Sequence, residues 1–137
     1  MCIFCQIVAG EIPAHTIYED DQTLAFLDIQ PRSPGHTMVI PKDHHSNIVD
    51  LPDNLVAPVF KTVKRVTEML EKALETTHFT IGMNMGRLSG QEVDHLHVHI
   101  MPRFEGDGGG PIHDVVDNTP EEDLEKIKER IIQANGS

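Results

Sequence analysis

The chain has 137 residues and a mass of 15.3 kDa, enough for a single domain over residues 1–137 whose core needs no disulfides to close it. Its 11 Lys+Arg stand against 22 Asp+Glu, a formal charge of −11, and a field of that sign repels polyanions and excludes non-specific nucleic-acid binding. No window approaches the roughly 18 consecutive apolar residues of a membrane span, and no signal-peptide pattern opens the chain, so a soluble cytoplasmic protein with no membrane partner is expected.

The only cysteines, Cys2 and Cys5, open the chain two residues apart. That loop is too short to staple a fold, and as half of a tetrahedral metal site it needs ligands from elsewhere. Residues 16–19 and 23–28 are β-prone, with the polar turn Asp20-Asp21-Gln22 between them, and predict a hairpin. Pro31 to Gly35 breaks the chain, and 36–40 predicts a third strand that ends at Pro41. From Asp53 to Glu75, Leu55, Val59, Val63, Val66, Leu70 and Leu74 recur at steps of three and four, the period of one buried helical face. Pro58 is tolerable only near the start of that helix.

Residues 79–84 and 95–101 predict two more strands, and the glycine-rich stretch Gly106 to Gly110 predicts a flexible connector. Thr119 as N-cap with Pro120 at the first helical position predicts a C-terminal helix running toward Ala134. Five short strands with one long and one C-terminal helix predict an α+β fold, a five-stranded antiparallel sheet with its helices on one face.

Nine histidines are more imidazole than packing or solubility requires, and imidazole suits proton transfer, metal ligation and nucleophilic attack near neutral pH. In 95–101, His95, His97 and His99 alternate with Leu96, Val98 and Ile100. As a strand this predicts an apolar face in the core and three imidazoles on the other face, spaced roughly 6.6 Å apart. Such a row suits an extended anion better than one catalytic metal ion.

The pattern His-φ-His-φ-His-φ-φ at 95–101, with φ apolar, resembles the signature of the histidine triad (HIT) family. The resemblance extends over Cys2-Ile3-Phe4-Cys5, Gly10 to Pro13, Phe26 to Ile29, Gly35 to Lys42, Gly90-Gln91 and Pro102 to Phe104. It is nearer the nucleotide-binding hydrolase branch, because position 99 is histidine rather than glutamine. It implies the HIT-like fold, a homodimer whose two sheets join, and hydrolysis of purine nucleoside 5′-phosphoramidates through a nucleotidyl-histidine intermediate, with no catalytic metal required. Dinucleoside polyphosphate hydrolysis and a nucleotide-binding adaptor with incidental turnover are the alternatives.

By the family's motif His97 is the implied nucleophile, with His99 and His36 supporting the phosphate. The resemblance assigns Asp28 to the ribose hydroxyls, Phe4, Phe26 and Ile29 to the walls around the base, and Asn84 and Gln91 to the phosphate or leaving group. It implies a structural zinc on Cys2, Cys5, His44 and His95. Glu92 departs from the family, whose eukaryotic members usually carry Ser or Thr there, and so puts the leaving-group preference in question.

Overall fold

A computed structural model describes residues 2–136, and in it the predicted strands pair into one sheet. They are β1 (Thr16–Glu19), β2 (Thr23–Leu27), β3 (Thr37–Pro41), β4 (Phe79–Gly82) and β5 (Val98–Pro102). All pairings are antiparallel, in the order β1-β2-β3-β5-β4. Asp20 closes the first hairpin, its carboxylate accepting from the backbone N–H groups of Gln22 and Thr23 at 2.9 and 2.8 Å, the local bonding that suits aspartate to turns.

Register decides what each face carries. Leu24 lies opposite Ile40 and Phe26 opposite Met38, while Ala25 pairs with Val39, which in turn pairs with Val98. Successive side chains point to opposite faces, so Ala25, Val39, Val98 and Ile100 gather into one cluster and Leu24, Phe26, Met38 and Ile40 into another.

The first face is covered by α2 (Asp53–Leu74), which buries Leu55, Val59, Thr62, Val63, Val66 and Leu70 against it. The Thr62 and Thr23 hydroxyls bond to each other at 2.7 Å where helix meets sheet. Pro58 sits inside the second turn, and the carbonyl its missing N–H leaves free belongs to Asn54, which is exposed to water. The helix stops at Glu75, whose left-handed backbone (φ 55°) lets its N–H donate to the Glu71 carbonyl.

Three expectations are corrected. The helices do not share one face. An unpredicted short helix, α1 (Ile3–Val8), packs Phe4 onto the face opposite α2, beside Leu24, Phe26, Met38 and Ile40. Six residues are too few to show a helical period, and the turn is held by the Cys2 Sγ accepting from the Cys5 N–H at 3.3 Å.

The histidine strand begins only at Val98. Upstream of it the Leu96 N–H donates to the His45 carbonyl at 2.7 Å, because β3 pairs with β5 no further than Val39 opposite Val98. The C-terminal helix, α3 (Leu124–Ala134), starts later than Thr119 predicts, with Asp123 as its N-cap accepting from the Glu125 N–H at 3.2 Å. None of its residues is buried, and it adds nothing to either core cluster among the described residues. No helix of the described residues is long and apolar enough to cross a membrane.

Candidate active site

The face opposite α2 carries the functional side chains because strand alternation continues past the strand ends. Phe26 leads to Asp28, Met38 leads back to His36, and His99 lies beside Met38 in the register of β3 and β5. A cleft of ≈ 540 Å³ opens there, lined among others by Phe4, Asp28, Ile29, His36, His97 and His99, a volume within the usual range for small-ligand sites. Asn84 and Glu92 line it too.

Two residues expected at the site lie behind it. Phe26 is buried beneath Phe4, with ring centroids 5.4 Å apart in edge-to-face contact, and backs the wall instead of lining it. The Gln91 amide is consumed by the chain: its Nε2 donates to the Ser46 and Val93 carbonyls and its Oε1 accepts from the Gly86 N–H. Gln91 borders an adjoining cavity.

The expected row of three imidazoles is split. His95 is wholly buried and turns away to the cysteines, whereas His97 and His99 remain together, with ring centroids 5.0 Å apart. Backbone groups fix which nitrogen of each ring carries the proton. A carbonyl only accepts, so His97 Nδ1–H donates to the His95 carbonyl at 2.7 Å, and in the neutral ring the lone pair is left on Nε2.

The Arg32 backbone N–H donates to His36 Nδ1 at 3.1 Å. His36 Nε2–H then donates to His99 Nδ1 at 2.9 Å, which leaves the remaining proton of His99 on its Nε2. The chain of bonds thus supplies one lone pair on His97 and one N–H donor on His99.

Burial pushes the His36 and His99 imidazoles below their ordinary range and overrides the nearby Asp28 carboxylate. For His99 the neighbouring His97 and His36 add to this, and its pKa falls to about 4. Both rings are neutral at pH 7, as the proton assignment requires. The unfolded chain takes up these protons near pH 6.5 and the folded one at lower pH. Their contribution to stability is therefore whole above pH 6.5 and lost as pH falls toward 4. The urea midpoint is expected to drop between pH 7.5 and 4.5, and to drop less in His99→Asn; equal drops in the two proteins would contradict the buried neutral pair.

Asp28 lies just beyond β2, its Oδ1 accepting from the Gln30 N–H at 2.9 Å and its Oδ2 3.6 Å from His36 Nε2. It serves its own turn with one oxygen and offers the other to the cleft. The cleft lining also includes Ile3, Met38 and Val93, which sequence reasoning missed. Met38 was findable as the next same-face residue after His36; Ile3 and Val93 carry no local signal. Ile29 is 81 % exposed at the rim.

Among the described residues, two groups of side chains bring potential metal ligands within 4.8 Å of one another, and their protons separate them. In the first, the Cys5 Sγ lies 3.3 Å from His44 Nδ1 and 3.6 Å from His95 Nδ1, and the Cys2 Sγ lies 3.4 Å from His95 Nδ1. A tetrahedral zinc with ordinary bond lengths separates sulfur and nitrogen ligands by roughly 3.6 Å. His95 Nε2–H donates to the Pro41 carbonyl at 2.8 Å, so its Nδ1 lone pair faces the thiols as ligation requires.

The second group is Asp28, His36 and His99. There His36 Nε2 carries the proton that the Arg32 bond keeps off Nδ1 and donates it to His99, so the His36 ring turns no lone pair toward an ion. The glycine-rich loop is outside the cleft, and Arg103 pins it by donating to Asp107 at 2.7 and 3.1 Å and to the Gly110 carbonyl at 2.9 Å. His15, His78 and His113 are exposed, as expected of surface residues.

A family model described as the HIT domain matches residues 9–106. An uncharacterized HIT-like protein of Methanocaldococcus jannaschii is 52 % identical over 108 residues, which is 79 % of this chain and 83 % of that protein. An adenosine 5′-monophosphoramidase of Schizosaccharomyces pombe is 44 % identical over 102 residues, 74 % of each chain. The crystal structure of a HIT family protein from Bacillus subtilis superposes with a TM-score of 0.86 at 39 % identity, covering 99 % of this chain and 98 % of that one.

Proposed function

We propose that this chain, which belongs to the HIT domain family, is a nucleotide hydrolase that cleaves purine nucleoside 5′-phosphoramidates through a covalent intermediate on His97. The observation that carries the reading is the pairing, in one cleft, of a lone pair on His97 Nε2 with an N–H donor on His99 Nε2. A lone pair next to a fixed donor suits in-line attack on phosphorus with stabilisation of the charge that builds on its oxygens. The resemblance to a protein named adenosine 5′-monophosphoramidase supports the phosphoramidate as substrate.

In this mechanism His97 Nε2 forms a bond to the α-phosphorus while the phosphorus–nitrogen bond to the amine breaks. The amine leaves with the bonding electron pair and takes a proton from solvent water. Water then attacks the same phosphorus, the bond to His97 breaks, and nucleoside monophosphate is released. His99 donates to a non-bridging oxygen in both steps. His36 holds the His99 ring and its proton in position. The negative field of the chain opposes the approach of an anion, so binding rests on these local donors and on burial of the base among Ile3, Phe4, Ile29 and Met38.

The free carboxylate oxygen of Asp28 suits acceptance from the ribose hydroxyls. Asp28→Ala is expected to weaken binding of adenosine monophosphate about tenfold and that of its 2′-deoxy analogue much less, as read by isothermal titration. An equal loss for both ligands would remove Asp28 from the ribose site. The whole reading is tested by incubating the protein with adenosine 5′-phosphoramidate and following release of ammonia and adenosine monophosphate; a folded protein that releases neither is not this hydrolase.

Two further features complete the proposal. Cys2, Cys5, His44 and His95 fit a structural zinc, supported by the separations of their ligand atoms and the proton position on His95. A homodimer is supported by β4, an outer strand whose free edge can pair with a second copy, with Phe60 and Ile81 exposed on α2 and β4.

A further inference from the structure

The cleft does not end at His97. Glu92 lines it, and the same residue lines two neighbouring cavities, one of ≈ 850 Å³ with Asn47, Arg87 and Asp94 and one of ≈ 480 Å³ with Ile3, His44 and Asp94. Asp28 and Ile29 border only the cleft. A nucleoside held at Asp28 with its phosphorus at His97 can therefore release its leaving group past Glu92 into the adjoining space. Glu92 is exposed there and forms no ion pair among the described residues. The charged side chains bordering the larger cavity are Glu92 and Asp94 against Arg87, two acids to one base.

We infer that Glu92 is a specificity-determining residue that rejects polyanionic leaving groups and admits neutral or cationic amines. The inference rests on the reading of the cleft as a nucleotide hydrolase site and names which substrates of that site the chain prefers. Its physical basis is like-charge exclusion: a carboxylate beside this path repels the departing nucleotide of a dinucleoside polyphosphate, which carries several charges, and leaves an uncharged amine unopposed. A residue of this kind discriminates by what it keeps out and needs no contact with the preferred substrate.

The test compares kcat/KM for adenosine 5′-phosphoramidate and diadenosine tetraphosphate in the wild type and in Glu92→Gln, which keeps the size of the side chain and removes its charge. Several charges acting across a few ångströms of wet surface correspond to about a tenfold change in rate. Glu92→Gln is expected to move the ratio by about that factor toward the tetraphosphate, and Asp94→Asn to move it the same way by less. A wild type that cleaves the phosphoramidate, with an unchanged ratio in Glu92→Gln, overturns this inference and leaves the hydrolase reading standing. A wild type that cleaves neither substrate overturns both.

Discussion

His97→Ala is expected to lower turnover of adenosine 5′-phosphoramidate by roughly 10⁴-fold or more, the order of loss seen when a covalent nucleophile is deleted, while adenosine monophosphate still binds. In the proposed mechanism the ring contributes the attacking electron pair, and no other side chain in the cleft lining holds an imidazole lone pair in the same way: His36 Nδ1 accepts from the Arg32 N–H and His99 Nδ1 accepts from His36. Binding survives because the base walls, Asp28 and the His99 donor remain. His97 is packed edge-on against Phe4 at 5.2 Å, so His97→Asn, which retains a polar side chain near the His95 carbonyl, serves as a second variant if the alanine protein is unstable. Full turnover by either folded variant would remove His97 as nucleophile.

The second large effect concerns the proposed zinc ligands. Replacing both Cys2 and Cys5 by serine is expected to lower the melting temperature by about 10 °C or more, as loss of a structural zinc does in a domain of this size. The four side chains come from elements far apart in sequence, which an ion held among them would join: α1 and its N-cap by Cys5 and Cys2, the loop after β3 by His44, and the segment before β5 by His95. Without the ion this junction retains only weak sulfur–nitrogen contacts, and burial raises the Cys5 thiol, with Cys2 adding to it, so that the metal-free thiol resists ionisation.

Phe4 lies between the two cysteines and packs on both His95 and His97. Loosening α1 is therefore expected to weaken nucleotide binding as well. Elemental analysis after chelator-free purification should find one zinc per chain, and a strong chelator should lower the melting temperature of the wild type but not of the double variant. Absence of zinc from the wild type, or a melt indifferent to both treatments, would end the zinc proposal.

Much of the fold was written in local pattern. The step of three and four from Leu55 to Leu70 gave α2 to within a residue, because one side of a helix either faces a core or does not. The alternation in Leu96, Val98 and Ile100 correctly set all three in the core. The same pattern failed for the histidines opposite them, because which way His95 turns is decided by the Pro41 carbonyl and two thiols some 54 and 90 or more residues away. Side-chain partners at that separation leave no periodic trace.

The site was legible in its residue types and less so in its layers. Asp28, His36, His97 and His99 do converge, since His99 lies in β5 and each of the others lies one residue beyond the end of β2, β3 or β5 on the same face. Phe4 and Phe26 look alike as sequence, yet one lines the cleft and the other supports it, because α1 lays the Phe4 ring against that of Phe26. Gln91 reads as a polar ligand until its amide is seen to be spent on three backbone groups. At the C-terminus Thr119-Pro120 has the composition of a helix start, but Asp123 supplies the cap, and no packing at that end corrects the competition between the two.

Covalent catalysis on His97 is tested most directly by the steric course at phosphorus. Hydrolysis of an adenosine 5′-phosphoramidate made chiral with sulfur at the α-phosphorus, in oxygen-18 water, reports whether the centre is inverted once or twice. Two successive in-line displacements, first by His97 and then by water, give net retention, the result expected here. Net inversion would mean that water attacks directly and that His97 is not the nucleophile.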